Sequence, residues 1–471
     1  MVFSSTVFLF VFLPVVFLVN LLMKGKLSNW WLLLVSLLFY AWGEPVYVLI
    51  MLGSILANWL FALRIDSLPD GRARKLWMAA TAVVNLLALV VFKYANFLVD
   101  NLNAVTGMHI ALQKIMLPVG ISFFTFQALS YVVDVYRRQT PAQKRLSDLA
   151  LYISFFPQLI AGPIVKYHDI AEQIERRTMT ADKAWSGVQR FIVGLSKKLL
   201  LANAMGNVAD AVFKLGPGEA NLPLAWIGAL AYCLQIYMDF SGYSDMAIGM
   251  GRMFGFDIME NFNYPYISRG IKEFWRRWHI SLSTWFREYL YIPLGGNRKG
   301  LARTCLNMTV VFFCTGFWHG AEWTFLVWGL FHGLFLILET LGVINPGKFR
   351  WKWIGNVYAL LVAIVGFTMF RATSISQGLD FISAMFTGFS FDAPHALLFG
   401  RLLTPTRVLV FAVAAVAATP VLPWVWKRAG GNPRREKLLQ AVGVACTALL
   451  FVLCLLSLAS STYNPFIYYR F

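Results

Sequence analysis

His319 closes an apolar run and has Gly316 and Gly320 beside it. An unperturbed imidazole titrates near pH ~6.5, which suits a general base at neutral pH. Glu322, three residues on, is positioned to orient the ring. The two glycines are four apart and bare one helix face, which admits another helix or a ligand. Helix packing around the glycines, with a hydrogen-bonded histidine, fits the same residues.

Three more polar clusters interrupt apolar sequence, where polar groups are costly. The first, Gln235 to Asp245, holds Asp239, Ser241, Ser244 and Asp245. The carboxylates are six apart and off a common helical face, and Gly242 is a place for the helix to break between them. The cluster reads as a polar cavity lining or as a buried hydrogen-bond network. The second, Met259 to Tyr266, is a loop because Pro265 disfavours helix before it; Asn261 can donate to a carbonyl oxygen or simply close an Asx turn. In the third, Trp275, Trp278, Leu282, Trp285 and Tyr289 recur at steps of three and four. That spacing predicts one amphipathic helix over 273–291, lying on the membrane interface or receiving a negatively charged donor.

These clusters sit in a chain that must live in lipid. Of 471 residues, 58% are hydrophobic and 14% charged, and mean hydropathy is +0.62. No soluble fold of this length hides so much apolar surface. Apolar runs at 7–23, 29–43, 46–63, 77–98, 115–135, 199–213, 224–250, 304–320, 323–341, 354–370, 405–426 and 438–460 predict about twelve spans. The first follows no basic residue and reads as a retained span, not a signal peptide. Segment 148–165, with Pro157, Gly162 and Pro163, reads as re-entrant or broken. The whole chain, 1–471, reads as one all-α polytopic membrane domain. With both termini outward, 34 of the 41 Lys and Arg fall in the inside segments. The net charge of +18 is therefore mostly a topology signal, and nucleic acid is discarded as a partner. Metal chemistry has little basis: His319, Glu322 and His332 supply ligand atoms, but no HExxH or paired cysteines occur. Neither a GxSxG elbow nor a Walker A sequence is present.

Several segments carry a family resemblance. Glu260-Asn261-Phe262, Phe274 to Trp285, Tyr289 to Asn297, Trp318-His319-Gly320, Phe92 to Phe97, Asp239 to Ala247 and the ending Asn464 to Phe471 resemble membrane-bound O-acyltransferases (MBOAT). The similarity covers most of the chain and lies closest to the branch that acetylates exopolysaccharides such as alginate or cellulose. The resemblance implies about eleven spans with re-entrant and interfacial helices around a central funnel, the interfacial motif at about 259–300 and the histidine motif at about 315–324. It implies that His319 is the essential histidine and that His279 is a second motif histidine on the cytoplasmic side. It implies transfer of an acyl group outward across the bacterial inner membrane, with an extracytoplasmic SGNH-type partner and a polysaccharide-export assembly. Within that frame Asn261 and backbone N–H groups beside Gly316 and Gly320 are oxyanion donors. Arg276, Arg277 and Arg298 steer a phosphate-bearing donor, acetyl-CoA or an acyl carrier. Trp278, Trp318, Asp239 and Glu322 complete the substrate-facing set, and no tightly bound cofactor is expected. The rival reading is a carrier without bond chemistry, using Asp239, Asp245 and the broken segment 148–165.

Overall fold

The computed structural model describes residues 2–430, 432–460 and 466, all of them helix, turn or irregular backbone. The remaining residues of the motif at 464–471 lie outside the described residues. The chain divides into two compact units, Met1–Phe191 with Met246–Met259, and Ile192–Asp245 with Glu260–Phe471.

In the first unit, α1 (Leu13–Leu22), α2 (Lys26–Gly43) and α3 (Tyr47–Ser67) are followed by α4 (Arg72–Leu89). A π turn at Val90–Tyr94 carries α4 on into α5 (Ala95–Thr106). Then come α6 (Ile121–Tyr136), α7 (Leu146–Ser154), α8 (Phe156–Leu159), α9 (Tyr167–Glu175) and α10 (Ala181–Ser196). Its core is aromatic: Phe8 stands 5.0 Å from Phe3 and 5.9 Å from Phe39, ring centre to ring centre. Between α3 and α4, Asn58 and Asn85 exchange amide hydrogen bonds of 3.1 and 2.8 Å, so each buried amide satisfies the other.

Segment 148–165 is broken, and almost every residue in it is buried. Helix α7 ends at Ser154, Phe155 leaves helical geometry with ψ at 110°, and α8 lasts four residues. The freed backbone is satisfied internally. Ser36 Oγ accepts from Phe156 N at 3.2 Å, and Gln158 Nε2 donates to the Tyr152 carbonyl at 2.7 Å. Irregular backbone at membrane depth needs this cover.

Outside the spanning helices, His168 Nδ1 lies 2.8 Å from Asp134 and Nε2 lies 3.1 Å from Asp169, while Lys166 faces Asp169 at 3.9 Å. Hydrogen bonds to Asp134 and then Asp169 lift the imidazole to about 9. A folded pKa above the unfolded value of ~6.5 stabilises fully below that value and stops doing so as pH rises through about 9. Thermal melts of the detergent-solubilised protein should therefore show a falling midpoint from pH 7 to 9.5. His168→Gln should flatten that slope; an unchanged slope assigns it to other groups.

The second unit opens with a π turn at Lys197–Ala202 and continues with α11 (Asn203–Phe213) and α12 (Leu222–Met253). Next are α13 (Ile271–Arg277), α14 (Ile280–Phe286), α15 (Leu301–His319), α16 (Trp323–Leu341) and α17 (Lys352–Arg371). The chain ends with α18 (Ile375–Thr387), α19 (Ala393–Leu402), α20 (Pro405–Ala417), α21 (Val421–Ala429) and α22 (Pro433–Ser460). Helix α12 passes Gly242 without a break, against the expected kink. A Cβ there would lie 2.7 Å from the Gly194 carbonyl, so the glycine serves close backbone approach.

Among the described residues six helices are long and apolar enough to cross a membrane: Tyr47–Ser67, Arg72–Thr106, Leu301–His319, Trp323–Leu341, Lys352–Arg371 and Pro433–Ser460. The pair α19 and α20, bent by 63°, makes a seventh if counted as one span. The difference from twelve apolar runs has visible causes. The run at 115–135 yields a helix only from Ile121, and 405–426 is interrupted after Ala417. The first run divides into a π turn and a ten-residue helix. The chain is nonetheless an all-α polytopic membrane protein.

Candidate active site

Helices α15 and α16 form a hairpin that fixes His319. Their backbones touch at glycines: a Cβ on Gly316 would lie 2.4 Å from the Phe325 carbonyl, and one on Gly329 2.4 Å from the Phe312 carbonyl. The bare face of α15 is thus filled by α16. Gly320, the next turn, is closed on its Cβ side by the Phe325 ring. His319 is the last residue of α15 and is buried. Its ring sits 5.0 Å from Trp318, 5.0 Å from Trp328 and 5.3 Å from Phe370.

The helix expected over 273–291 is two helices. His279 has φ +43°, and this left-handed residue separates α13 from α14. The cause is Asn261, far away in sequence. Its carbonyl accepts from Ile280 N at 2.9 Å and its side-chain Oδ1 accepts from Ser281 N at 3.2 Å. The orphan amides at the start of α14 are thereby capped from outside. The break turns His279 inward, to 0% exposure, instead of onto an interface. Its ring stands edge-on to Phe240 at 4.7 Å and lies 6.1 Å from Trp318. Trp318 thus has one histidine on either side.

Trp275 and Arg276 line a cavity of about 440 Å³ together with Ser283, Arg287, Phe312 and Thr315. Thr315 is one helical turn before His319, about 6 Å along the axis. Ring chemistry continues behind the wall: Trp275 packs 5.3 Å from the fully buried His332.

The structure sorts the other residues singled out above. Arg276 lines the cavity and is exposed. Arg277 is held by Glu273 at 2.9 Å and by the Asn263 carbonyl at 3.0 Å, outside the lining. Arg298 lies exposed on the turn after Tyr291, also outside it. Trp278 is core: it stacks on Phe274 at 5.6 Å and meets Phe367 at 4.9 Å. Glu322 is exposed and makes no ion pair with His319, because α15 ends there and the i+3 relation is lost. Asp239 is buried against Lys198, and Asp245 pairs with Lys197 at 2.7 Å. Asn261 is fully buried, with Nδ2 donating to Ser244 Oγ at 3.1 Å.

Lys197 and Lys198 went unnoticed in the sequence, and Ser281 and Arg287 were given no role there. Two carboxylates inside a long apolar helix demand buried cations, and adjacent lysines at the edge of an apolar run were the available signal. Nothing in the spacing of 273–291 marked Arg287 as facing a cavity. Among the described residues no group of three His, Cys, Asp or Glu is placed to hold a metal.

The shared residues extend to known proteins. Residues 142–376 match the membrane-bound O-acyltransferase family. The chain is 41% identical over 493 residues to a probable alginate O-acetylase AlgI of Pseudomonas putida, covering 100% of both chains. It is 39% identical over 530 residues to the Pseudomonas aeruginosa protein of that name, again covering 100% of both. A peptidoglycan O-acetyltransferase of Helicobacter pylori is 35% identical over 421 residues, with 82% of this chain and 80% of the relative aligned. With residues 142–376 matching that family and two relatives aligned over their full length, the chain belongs to the membrane-bound O-acyltransferase family and is an acyltransferase.

Proposed function

We propose that this protein is an inner-membrane O-acetyltransferase for an exopolysaccharide such as alginate or cellulose, drawing acetyl groups from a cytoplasmic thioester donor. The names of its relatives support the acetyl group and a glycan destination. The observation that carries the reading is the cavity. Two arginines and mainly apolar side chains line a space of about 440 Å³ that reaches Thr315, one turn from His319. That volume falls within the usual range for small-molecule sites, and guanidinium groups suit phosphate.

In this reading the donor is acetyl-CoA or an acyl carrier. Its phosphates meet Arg276 and Arg287, and its pantetheine arm runs along the apolar wall. The acceptor hydroxyl attacks the thioester carbonyl, a C–O bond forms and the C–S bond breaks. His319 takes the hydroxyl proton and returns it to the departing thiolate, so atoms and charge balance. The acetyl group leaves outward, to the glycan or to an SGNH-type partner in the polysaccharide-export assembly. The ion pairs of Asp239 and Asp245 count against the carrier alternative, because both carboxylates are already committed to lysines.

The test is transfer of radiolabelled acetyl from acetyl-CoA in inverted membrane vesicles. Arg276→Gln with Arg287→Gln should raise KM for acetyl-CoA about tenfold or more and leave kcat within a few-fold, since one charged hydrogen bond is worth ~1.5–3 kcal/mol. An unchanged KM removes this cavity as the donor site.

A further inference from the structure

The amide of Asn261 cannot be turned either way. The backbone N–H of Ser281 can only donate, and it points to Oδ1 at 3.2 Å. Ser281 Oγ donates to the same oxygen at 2.9 Å, and Nδ2 is committed to Ser244 Oγ at 3.1 Å. The oxygen end of the amide is therefore fixed by a backbone group, whose role does not depend on any assignment of hydrogens. His279 Nδ1 lies 3.1 Å from that oxygen. An oxygen facing a ring nitrogen at this distance accepts, so Nδ1 carries the hydrogen. In a neutral imidazole the lone pair then belongs to Nε2. That atom is buried and has no hydrogen-bond partner among the described residues. His279 lies outside the spanning helices, and burial holds its imidazole far below the ordinary value, at about 3. The ring is neutral at pH 7.

We infer that Asn261 is a positioning residue that fixes His279 in the Nδ1–H tautomer, so that Nε2 presents a lone pair to the reacting groups beside Trp318. This inference rests on the acyl-transfer reading above and deepens it. It also changes what Asn261 does. Its amide is spent on Ser244, Ser281 and His279, so it acts through the histidine and not as a donor to an oxyanion. Ser244 on α12 and Ser281 on α14 hold the amide in turn, which ties the tautomer to the packing of two helices. An amide is neutral, so it selects the nitrogen without drawing the ring into its charged form. A carboxylate in its place would select the same nitrogen and trap the imidazolium.

Two measurements test this. The first is nitrogen NMR of the full-length protein in lipid, labelled with ring-¹⁵N histidine and compared with His279→Gln. The signals lost in the variant should be those of a neutral ring protonated at Nδ1. A ring protonated at Nε2 overturns the inference even if the enzyme is an acetyltransferase as proposed. The second is the pH titration of the same ring-¹⁵N signals in Asn261→Asp. The new carboxylate keeps the size and the acceptor, and an opposite charge at hydrogen-bond distance raises a neighbouring pKa by about 1–3 units. The His279 midpoint should move up from about 3 by at least one pH unit. A simple helix-cap role predicts lower thermal stability without a moved midpoint, and that outcome also overturns the inference. If the tautomer is as inferred but His279→Gln retains full transfer, the acyl-transfer role of this histidine fails instead.

Discussion

His319→Ala should lower polysaccharide-bound acetate about 10³-fold relative to wild type at matched membrane levels. Removing a general base costs about 10²–10⁴ in rate, and His319 lies with its ring 5.0 Å from Trp318, which His279 meets at 6.1 Å. The ring also packs against Trp328 and Phe370, so truncation leaves a void that costs about 1–3 kcal/mol. His319→Gln separates the two effects, because it keeps most of the volume and a polar tip but cannot take up a proton at neutral pH. Acetate should be lost in both variants, while thermal stability falls mainly in the alanine variant. If the glutamine variant acetylates normally, His319 is a packing residue and the proposed chemistry has no base.

The second large effect concerns the hairpin beneath that histidine. Gly316→Ala places a methyl group 2.4 Å from a backbone carbonyl of α16, and Gly329→Ala does the same to a carbonyl of α15. Neither obstacle is a flexible side chain, so the helices must separate. Overpacking that moves backbone costs about 1–3 kcal/mol and sometimes more; with a rigid carbonyl on each side, about 3 kcal/mol or more is expected for each. Because His319 is three residues beyond Gly316, the same separation displaces the imidazole, and a shift of about 1 Å costs about 10² in rate. Gly53→Ala is the control, since a Cβ there meets nothing within 4 Å. Thermal melts should show a large drop for Gly316→Ala and Gly329→Ala and none for Gly53→Ala. Wild-type stability in Gly316→Ala would mean that the two helices are not held in contact at this point.

A good deal of this was legible in the chain alone. Apolar runs determined that the protein is helical and spans a membrane. Those signals are local: each residue's transfer free energy between water and lipid depends on its own side chain. The four polar clusters stood out for the same reason, and the motifs around His279 and His319 were long enough to point to acyl transfer.

Pairings were another matter. Whether Asp239 faces a substrate or Lys198, or whether Arg277 or Arg287 lines the cavity, depends on groups far apart in sequence. The spacing of Trp275, Trp278, Leu282, Trp285 and Tyr289 predicted an interfacial face, whereas the first four are buried and Tyr289 is half-buried. It could not report that the helix stops between Trp278 and Ile280. That break exists because Asn261, eighteen residues before His279, supplies the oxygens that two helix-starting amides need. Periodicity records which side of an element is apolar, and a hydrogen bond from a distant loop leaves no trace in it. By itself, then, the sequence determined the class of protein and the residues able to do chemistry. Only the tertiary structure decided which of them meet, because satisfying buried polar groups is a property of the assembled interior and not of any one segment.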